Sequence, residues 1–193
     1  SVVLLVCAGL LIRALVRVQS IDPGFNPRGV LTMRTTLPWE KYGPQATRIQ
    51  FYQRVLEQVR ALPGVTAAGY TSFLPMTNRG GIWLVELPGR PRRPGGGDFA
   101  SSRYVSTEYF RAMEIPLRSG RLPTEADSLN SQQVAVVSEG FVRSYLDGQE
   151  PIGKTFKFGP GGERTIVGVV GEVRVRGLER QSEPQVYMPY QQQ

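Results

Sequence analysis

The hydrophobic pattern changes character several times along the chain. Residues 1–12, SVVLLVCAGLLI, are apolar on every side and then give way to a stretch carrying Arg13 and Arg17. A run with no polar face belongs in a protein core or in a bilayer. Twelve helical residues reach about 18 Å against a bilayer core of about 30 Å, so the run alone is too short to span. The chain starts without Met inside this run. We therefore expect residues 1–19 to be the end of a transmembrane helix continuing as a stalk to about Val18, with a buried core helix as the competing reading. A signal peptide would show a basic start and a small-residue cleavage site, and neither is present. Lipidation at Cys7 would need a small residue where Val6 stands. The positive-inside rule would put Arg13 and Arg17 on the cytoplasmic side.

Asp22-Pro-Gly-Phe-Asn-Pro27 is turn chemistry and ends the helix. In 30–37, Leu31, Met33, Thr35 and Leu37 alternate with polar neighbours, which predicts a half-buried strand closed by Pro38. Ile49, Tyr52, Val55, Leu56, Val59 and Leu62 then recur at helical spacing, and Pro63-Gly64 stops them. Residues 65–72 read as a second strand and 82–87 as a third. A short strand at Tyr104 leads to Ser106, placed to cap a helix through Met113. Ile115-Pro-Leu117 exits that helix and Ser119-Gly-Arg121 turns the chain. Residues 133–137 form a buried strand, and Ser138 is placed to cap a helix over 139–146. Residues 155–158 and 164–170 flank Gly159-Pro-Gly-Gly162 as a hairpin. Residues 185–190 are a last strand, with Pro189 favouring an edge or a strand end. The sum is an α+β fold of short strands.

Composition narrows the chemistry. The 193 residues include 22 Gly, 15 Pro, a single Cys and no His. Without His there is no Ser-His-Asp or Cys-His constellation and no His-ligated metal; one Cys forms no internal disulfide. Lys and Arg number 23 against 16 Asp and Glu, a net charge of +7. Its one local concentration, Arg90, Arg92 and Arg93, lies in a Pro- and Gly-rich run that cannot enter a major groove as a helix. It reads as a solvated loop or as a contact for an anionic ligand or membrane surface; no nucleic-acid-binding motif accompanies it. Gly153-Lys-Thr155 lacks the glycine spacing and the following helix of a P-loop, and reads as a hairpin entry. The carboxylate pairs Glu125/Asp127 and Glu108/Glu114 are close only in sequence. Tyr187 and Tyr190 read as packing residues.

Ordered blocks along almost the whole chain carry a family resemblance. Leu10-Leu-Ile-Arg13, Val18-Gln19, Asp22-Pro-Gly-Phe25 and Val30-Leu-Thr32 open it. Phe51-Tyr52, Val59-Arg-Ala-Leu-Pro-Gly-Val65, Tyr109-Phe110, Ile115-Pro-Leu117 and Gly120-Arg121 follow. Pro151-Ile-Gly-Lys154, Ile166-Val-Gly-Val-Val-Gly171, Val173-Arg174, Val186-Tyr187 and Pro189-Tyr190 complete it. The chain resembles the MacB-like periplasmic core domain of MacB/FtsX-type ABC transporter permeases. The resemblance implies a two-lobed extracytoplasmic domain on a membrane helix at 1–19. Its porter-like lobe would comprise 20–103 and a return strand in 181–193, with an inserted lobe at 104–180. It implies no catalysis, cofactor or metal in this domain, and places ATP hydrolysis in a separate subunit or domain. A homodimer and a periplasmic adaptor are the other partners it suggests, and motion of the membrane helices would be passed to the periplasmic side. It sets the residues after the helix outside the cytoplasm, against the positive-inside reading of Arg13 and Arg17. Two positions depart from the family pattern. Thr107-Glu108 stands where Pro-Gly is frequent, and Glu114 where Gly is frequent, so the helix end there is expected to be shaped differently.

Overall fold

The structure is a computed structural model that describes residues 2–77, 80–89 and 96–193. The N-terminal apolar run forms α1, Val2–Gln19, with Arg17 in its last turn, where a cation opposes the negative end of the helix dipole. It buries no residue, which excludes the core-helix reading. Its mean hydropathy is 2.1, and at about 27 Å it is long and apolar enough to cross a membrane.

Two further helices, α2 (Trp39–Tyr42) and α3 (Gln45–Arg60), follow. The body is a sheet of seven strands: β1 (Gly81–Glu86), β2 (Asp98–Val105), β3 (Leu117–Gly120), β4 (Val134–Ser138), β5 (Thr155–Phe158), β6 (Glu163–Val170) and β7 (Gln185–Pro189). Helix α4 (Thr107–Ala112) joins β2 to β3, and α5 (Glu139–Tyr145) follows β4 directly.

The sheet closes on itself. Strand β6 takes β4 in parallel along one edge; along the other it takes β5 in its first half and β3 in its second. Because β5 also pairs with β1, the ladder β1–β2–β7–β4–β6–β5 returns to β1. All six ring strands supply side chains to one enclosed cluster, including Val85, Ala100, Val137, Phe156, Ile166 and Val186, and Phe141, Tyr145 and Leu146 from α5 and its C-terminal end join it. Ser138 starts α5 where expected: its hydroxyl accepts from Phe141 N at 3.3 Å. The opposite faces of β4 and β7 present Val136 and Tyr187 to a second cluster with Tyr109, Phe110, Met113 and Ile115. Burial on both faces is why β4 reads as an unbroken apolar run.

Several expectations are corrected. Residues 30–37 form no strand: Leu31 is 96% and Met33 76% exposed, and no neighbouring strand pairs with them among the described residues. Alternation detects a face that wants burial, but a strand needs a hydrogen-bonded neighbour. Residues 65–72 contribute only a bridge from Thr71 to Val105, because the hydroxyls of Ser72 and Ser106 take backbone N–H groups that a ladder would use. Ser106 thus sits at the α4 N-cap, but its hydroxyl accepts from Tyr70 N at 2.9 Å and not from the helix. Residues 117–120, expected as an exit and turn, are the exposed strand β3, which pairs with β6. Strand β7 lies between β2 and β4 in the sheet; Pro189, at its end, is beyond the two β4 pairings, so its missing N–H costs no ladder bond there. The short helix α2 was not anticipated.

Glu114 explains the departure at the end of α4. Ile115 N bonds Phe110 O at 2.8 Å and Glu114 N bonds Arg111 O at 3.2 Å, the two bonds of a Schellman cap, and Ile115 packs with Phe110 in the second cluster. The cap needs a left-handed residue at position 114, and Glu114 adopts φ +53°. Glu114→Gly is therefore expected to stabilise the domain by about 1 kcal/mol, since Gly enters this region without the Cβ clash. Chemical denaturation of the detergent-solubilised chain measures it; a loss of stability would contradict the cap assignment.

Candidate functional site

Where α1 ends, Asp22-Pro-Gly-Phe-Asn26 folds back onto the body. Asp22 Oδ1 accepts from Gly24 N at 2.8 Å, closing a local turn. Arg174 N donates to Pro23 O at 2.9 Å, and Asn26 N donates to Met113 O at 3.0 Å. Gly24 has φ +80°, and a Cβ there would lie 1.7 Å from Glu172 O. Only glycine fits this approach. Phe25 and Val30 pack against the second core cluster. The turn is thus clamped between the end of α4 and the segment that leaves β6.

Above this joint lies a cleft of about 780 Å³, open to solvent and lined by charged groups. Arg118 Nε lies 3.5 Å from Glu139 Oε1, and Arg143 pairs with Glu172 across the mouth of α5. Glu172 occupies the space a side chain at Gly140 would need, 2.6 Å from that Cβ position. Arg174 Nη1 donates to the carbonyls of Leu178, at 3.0 Å, and Arg180. Most cleft cations are therefore engaged with carboxylates or carbonyls of the same wall. The arrangement joins elements electrostatically and presents no nucleophile beside a base.

The sequence-derived candidates are dispersed. Arg90, Arg92 and Arg93 lie outside the described residues. Asp127 is buried against Arg121 in a two-point ion pair of 2.7 and 2.9 Å and also accepts from Thr124 N, while Glu125 accepts from Gln191 Nε2 at 2.8 Å. Neither faces the other across a cleft. Glu108 pairs with Arg111 on α4, and Glu114 lines the cleft. Gly153 has φ +84° and Lys154 leads into β5, the hairpin entry expected. Tyr187 and Tyr190 are buried. Among the described residues no group of three His, Cys, Asp or Glu side chains is placed to hold a metal, and Cys7 is an exposed thiol on α1. The clamped turn was missed as a site. Its available signal was Gly24 within Asp-Pro-Gly-Phe, legible as a turn but not as to what it docks against.

The structure defines the class as an α+β domain with a closed sheet, preceded by one helix long and apolar enough to cross a membrane. The model of the MacB-like periplasmic core domain matches residues 1–193. The chain belongs to that family, and is the periplasmic core domain of a MacB-like ABC transporter permease. Among curated relatives, the Macrolide export ATP-binding/permease protein MacB of Aggregatibacter actinomycetemcomitans is 31% identical over 121 residues, 62% of this chain and 17% of that protein. The Macrolide export ATP-binding/permease protein MacB 2 of Aeromonas hydrophila subsp. hydrophila is 34% identical over 106 residues, 55% of this chain and 16% of that protein. The chain thus spans under a fifth of these relatives. The crystal structure of the periplasmic region of MacB from Actinobacillus actinomycetemcomitans superposes with a TM-score of 0.50 at 19% identity, covering 72% of this chain and 55% of that one. The family sets the body after α1 on the periplasmic side of the inner membrane. Arg13 and Arg17 therefore do not determine orientation, and the positive-inside bias is in any case counted over all the loops of a membrane protein.

Two outcomes are expected here. Gly24→Ala should destabilise the domain by at least about 2 kcal/mol in denaturant titration, since it combines left-handed strain with a backbone clash; an unchanged midpoint would mean that the turn is not clamped. The Arg121 guanidinium holds the Asp127 carboxyl below the usual carboxylate range. A depressed folded value means the contribution is complete above about pH 4, the unfolded value, and is lost as pH falls through the folded one. Asp127→Asn should flatten this acid limb of the stability profile; an identical limb in both proteins would contradict the assignment.

Proposed function

We propose that this domain carries no reaction of its own and passes movement of the membrane helix to the periplasmic body of an ABC exporter. The observation that carries the reading is the joint: α1 buries no residue, and the chain after it is bonded to the body through Pro23 and Asn26 within a few residues of the helix end. A helix followed by a loose linker would lose its displacement in the linker. Here a displacement of α1 pulls on the Glu172–Arg174 segment and on the end of α4, both packed on the sheet.

The relatives' names include ATP-binding and permease parts in one protein. In this reading ATP is hydrolysed by a separate domain or subunit, two copies of the permease work together, and a periplasmic adaptor is a further partner. The two-lobe division, 20–103 with 181–193 and an inserted 104–180, is part of the same proposal. In its support, β7 runs parallel to β2, and the Tyr190 ring lies 5.7 Å from that of Tyr70 and 6.3 Å from that of Tyr52 of α3; against it, the β1–β5 and β4–β7 pairings carry the one closed sheet across the division.

The test is to insert two glycines between Ile21 and Asp22 in the full-length permease. Spin labels on a Lys157→Cys variant, with Cys7 replaced by Ala, report the distance between the two domains of a dimer. The insertion should abolish its nucleotide-dependent change while ATP hydrolysis persists. The same change with and without the insertion would overturn the reading.

A further inference from the structure

Residues 30–37 run without turn or bend, and none of their backbone N–H or C=O groups has a hydrogen-bonded partner among the described residues. Leu31 and Met33 stand exposed along them, and Trp39, just beyond, is 77% exposed. Both ends of the stretch are nevertheless held. Asn26 N is bonded to Met113 O and Val30 packs on the second core cluster; at the other end Pro38 O accepts from Tyr42 N at 3.0 Å to open α2. Helix α2 rests on α3, with the Tyr42 ring 5.2 Å from that of Phe51. Helix α3 shares the deficit of the stretch before it: Ile49, Val55 and Val59 are only half-buried, and Leu56 is its single buried residue.

A stretch of this kind is a template for strand pairing, since its backbone groups are free and its apolar side chains gain from cover. Proteins that keep such an edge in solvent blunt it with charges, proline or a bulge. Here Arg34 is the one charge within 30–37, and Pro38 stands beyond them. An amphipathic helix likewise needs a packed layer for its apolar stripe. An unpaired stretch followed by a half-covered helix is therefore a unit that lacks its neighbouring strand. Tyr190–Gln192, the buried C-terminal turn, sets the Tyr190 ring 6.3 Å from that of Tyr52 on α3, so residues that follow Gln193 start beside this unit. This chain covers 55% of the periplasmic region of MacB, so in that protein periplasmic chain lies outside the match.

We propose that residues 30–37 become a paired strand in the full-length permease, and that their neighbour is a strand of the same polypeptide from beyond Gln193. The pairing begins just after the Asn26 clamp, so it fastens that later chain beside the joint with α1. The proposal does not depend on where a boundary between lobes runs.

Amide hydrogen exchange at 31–36 tests it in the detergent-solubilised full-length permease, free of other proteins and at two concentrations, beside the 193-residue chain. Alternate amides should exchange about a hundredfold slower in the permease than in the 193-residue chain, equally at both concentrations. Successive N–H groups point to opposite edges of a strand, so one of Arg34→Pro and Thr35→Pro removes a pairing bond. That variant should lower the unfolding midpoint of the permease and abolish the protection, while neither variant shifts the midpoint of the shorter chain. Equally fast exchange in both proteins would overturn the proposal, and so would protection seen only at the higher concentration, which would make the neighbour a second copy. A permease indifferent to both prolines would overturn it too. None of these measurements needs nucleotide, so they stand apart from the test of helix movement.

Discussion

Strand β6 holds the body together because, among the described residues, it is the only strand of the ring with three partners. Without its pairing to β5, the sheet would open between β6 and β1 and expose the Phe156, Phe158 and Ile166 side of the enclosed cluster. Without its pairing to β4, the ring would open between β6 and β4, leaving β4, β7 and α5 on the β2 side of the gap. The valines and isoleucine of Thr165–Val170 suit this role, because β-branched residues pack well on pleated surfaces and both faces of the strand are covered. The segment that leaves β6, Gly171–Arg174, is where the membrane-proximal turn docks. Ring closure and attachment of the membrane helix thus meet on one stretch of backbone.

That proximity gives the mechanical reading its physical content. The contacts at the joint are mostly backbone to backbone: Pro23 O with Arg174 N, Asn26 N with Met113 O, and Gly24 against Glu172 O. Backbone contacts do not change rotamer, so in that reading displacement would be passed on with little slack. The ion pairs of the cleft above, Arg118–Glu139 and Arg143–Glu172, cross-link α5 to β3 and to the segment after β6. Partly exposed pairs of this kind contribute little stability, and their use here is to keep elements in register.

How much of this was legible in the sequence depends on where each element finds its partners. Helix α3, strand β4, the Ser138 cap and the β5–β6 hairpin were readable because their signals are local: 3.6-residue spacing, an unbroken apolar run, a hydroxyl before a helix, Gly-Pro-Gly-Gly between alternating stretches. Residues 30–37 and 65–72 show alternation of the same quality but form no strands, since pairing is decided by what lies alongside in space. Strand β3 escaped notice for the opposite reason, being exposed throughout, so that its backbone pairing with β6 leaves no apolar alternation in the sequence. Of the candidate site, Gly24 was visible as a turn glycine, while its neighbour Glu172 is 148 positions away in the chain. The absence of His and the single Cys had already excluded the commonest catalytic designs, and the family membership accords with that composition.

The central claim is that the helix and the body are joined by a clamped turn. Amide hydrogen exchange of the detergent-embedded chain tests it most directly at two positions, Asn26 and Arg174, whose N–H groups make the clamping bonds. Protection of both amides comparable to that of Val136 and Ile166 in the ring is the predicted result. Exchange at both as fast as in the unpaired residues 31–36 would contradict it, since the helix would then be tethered to the body by slack chain.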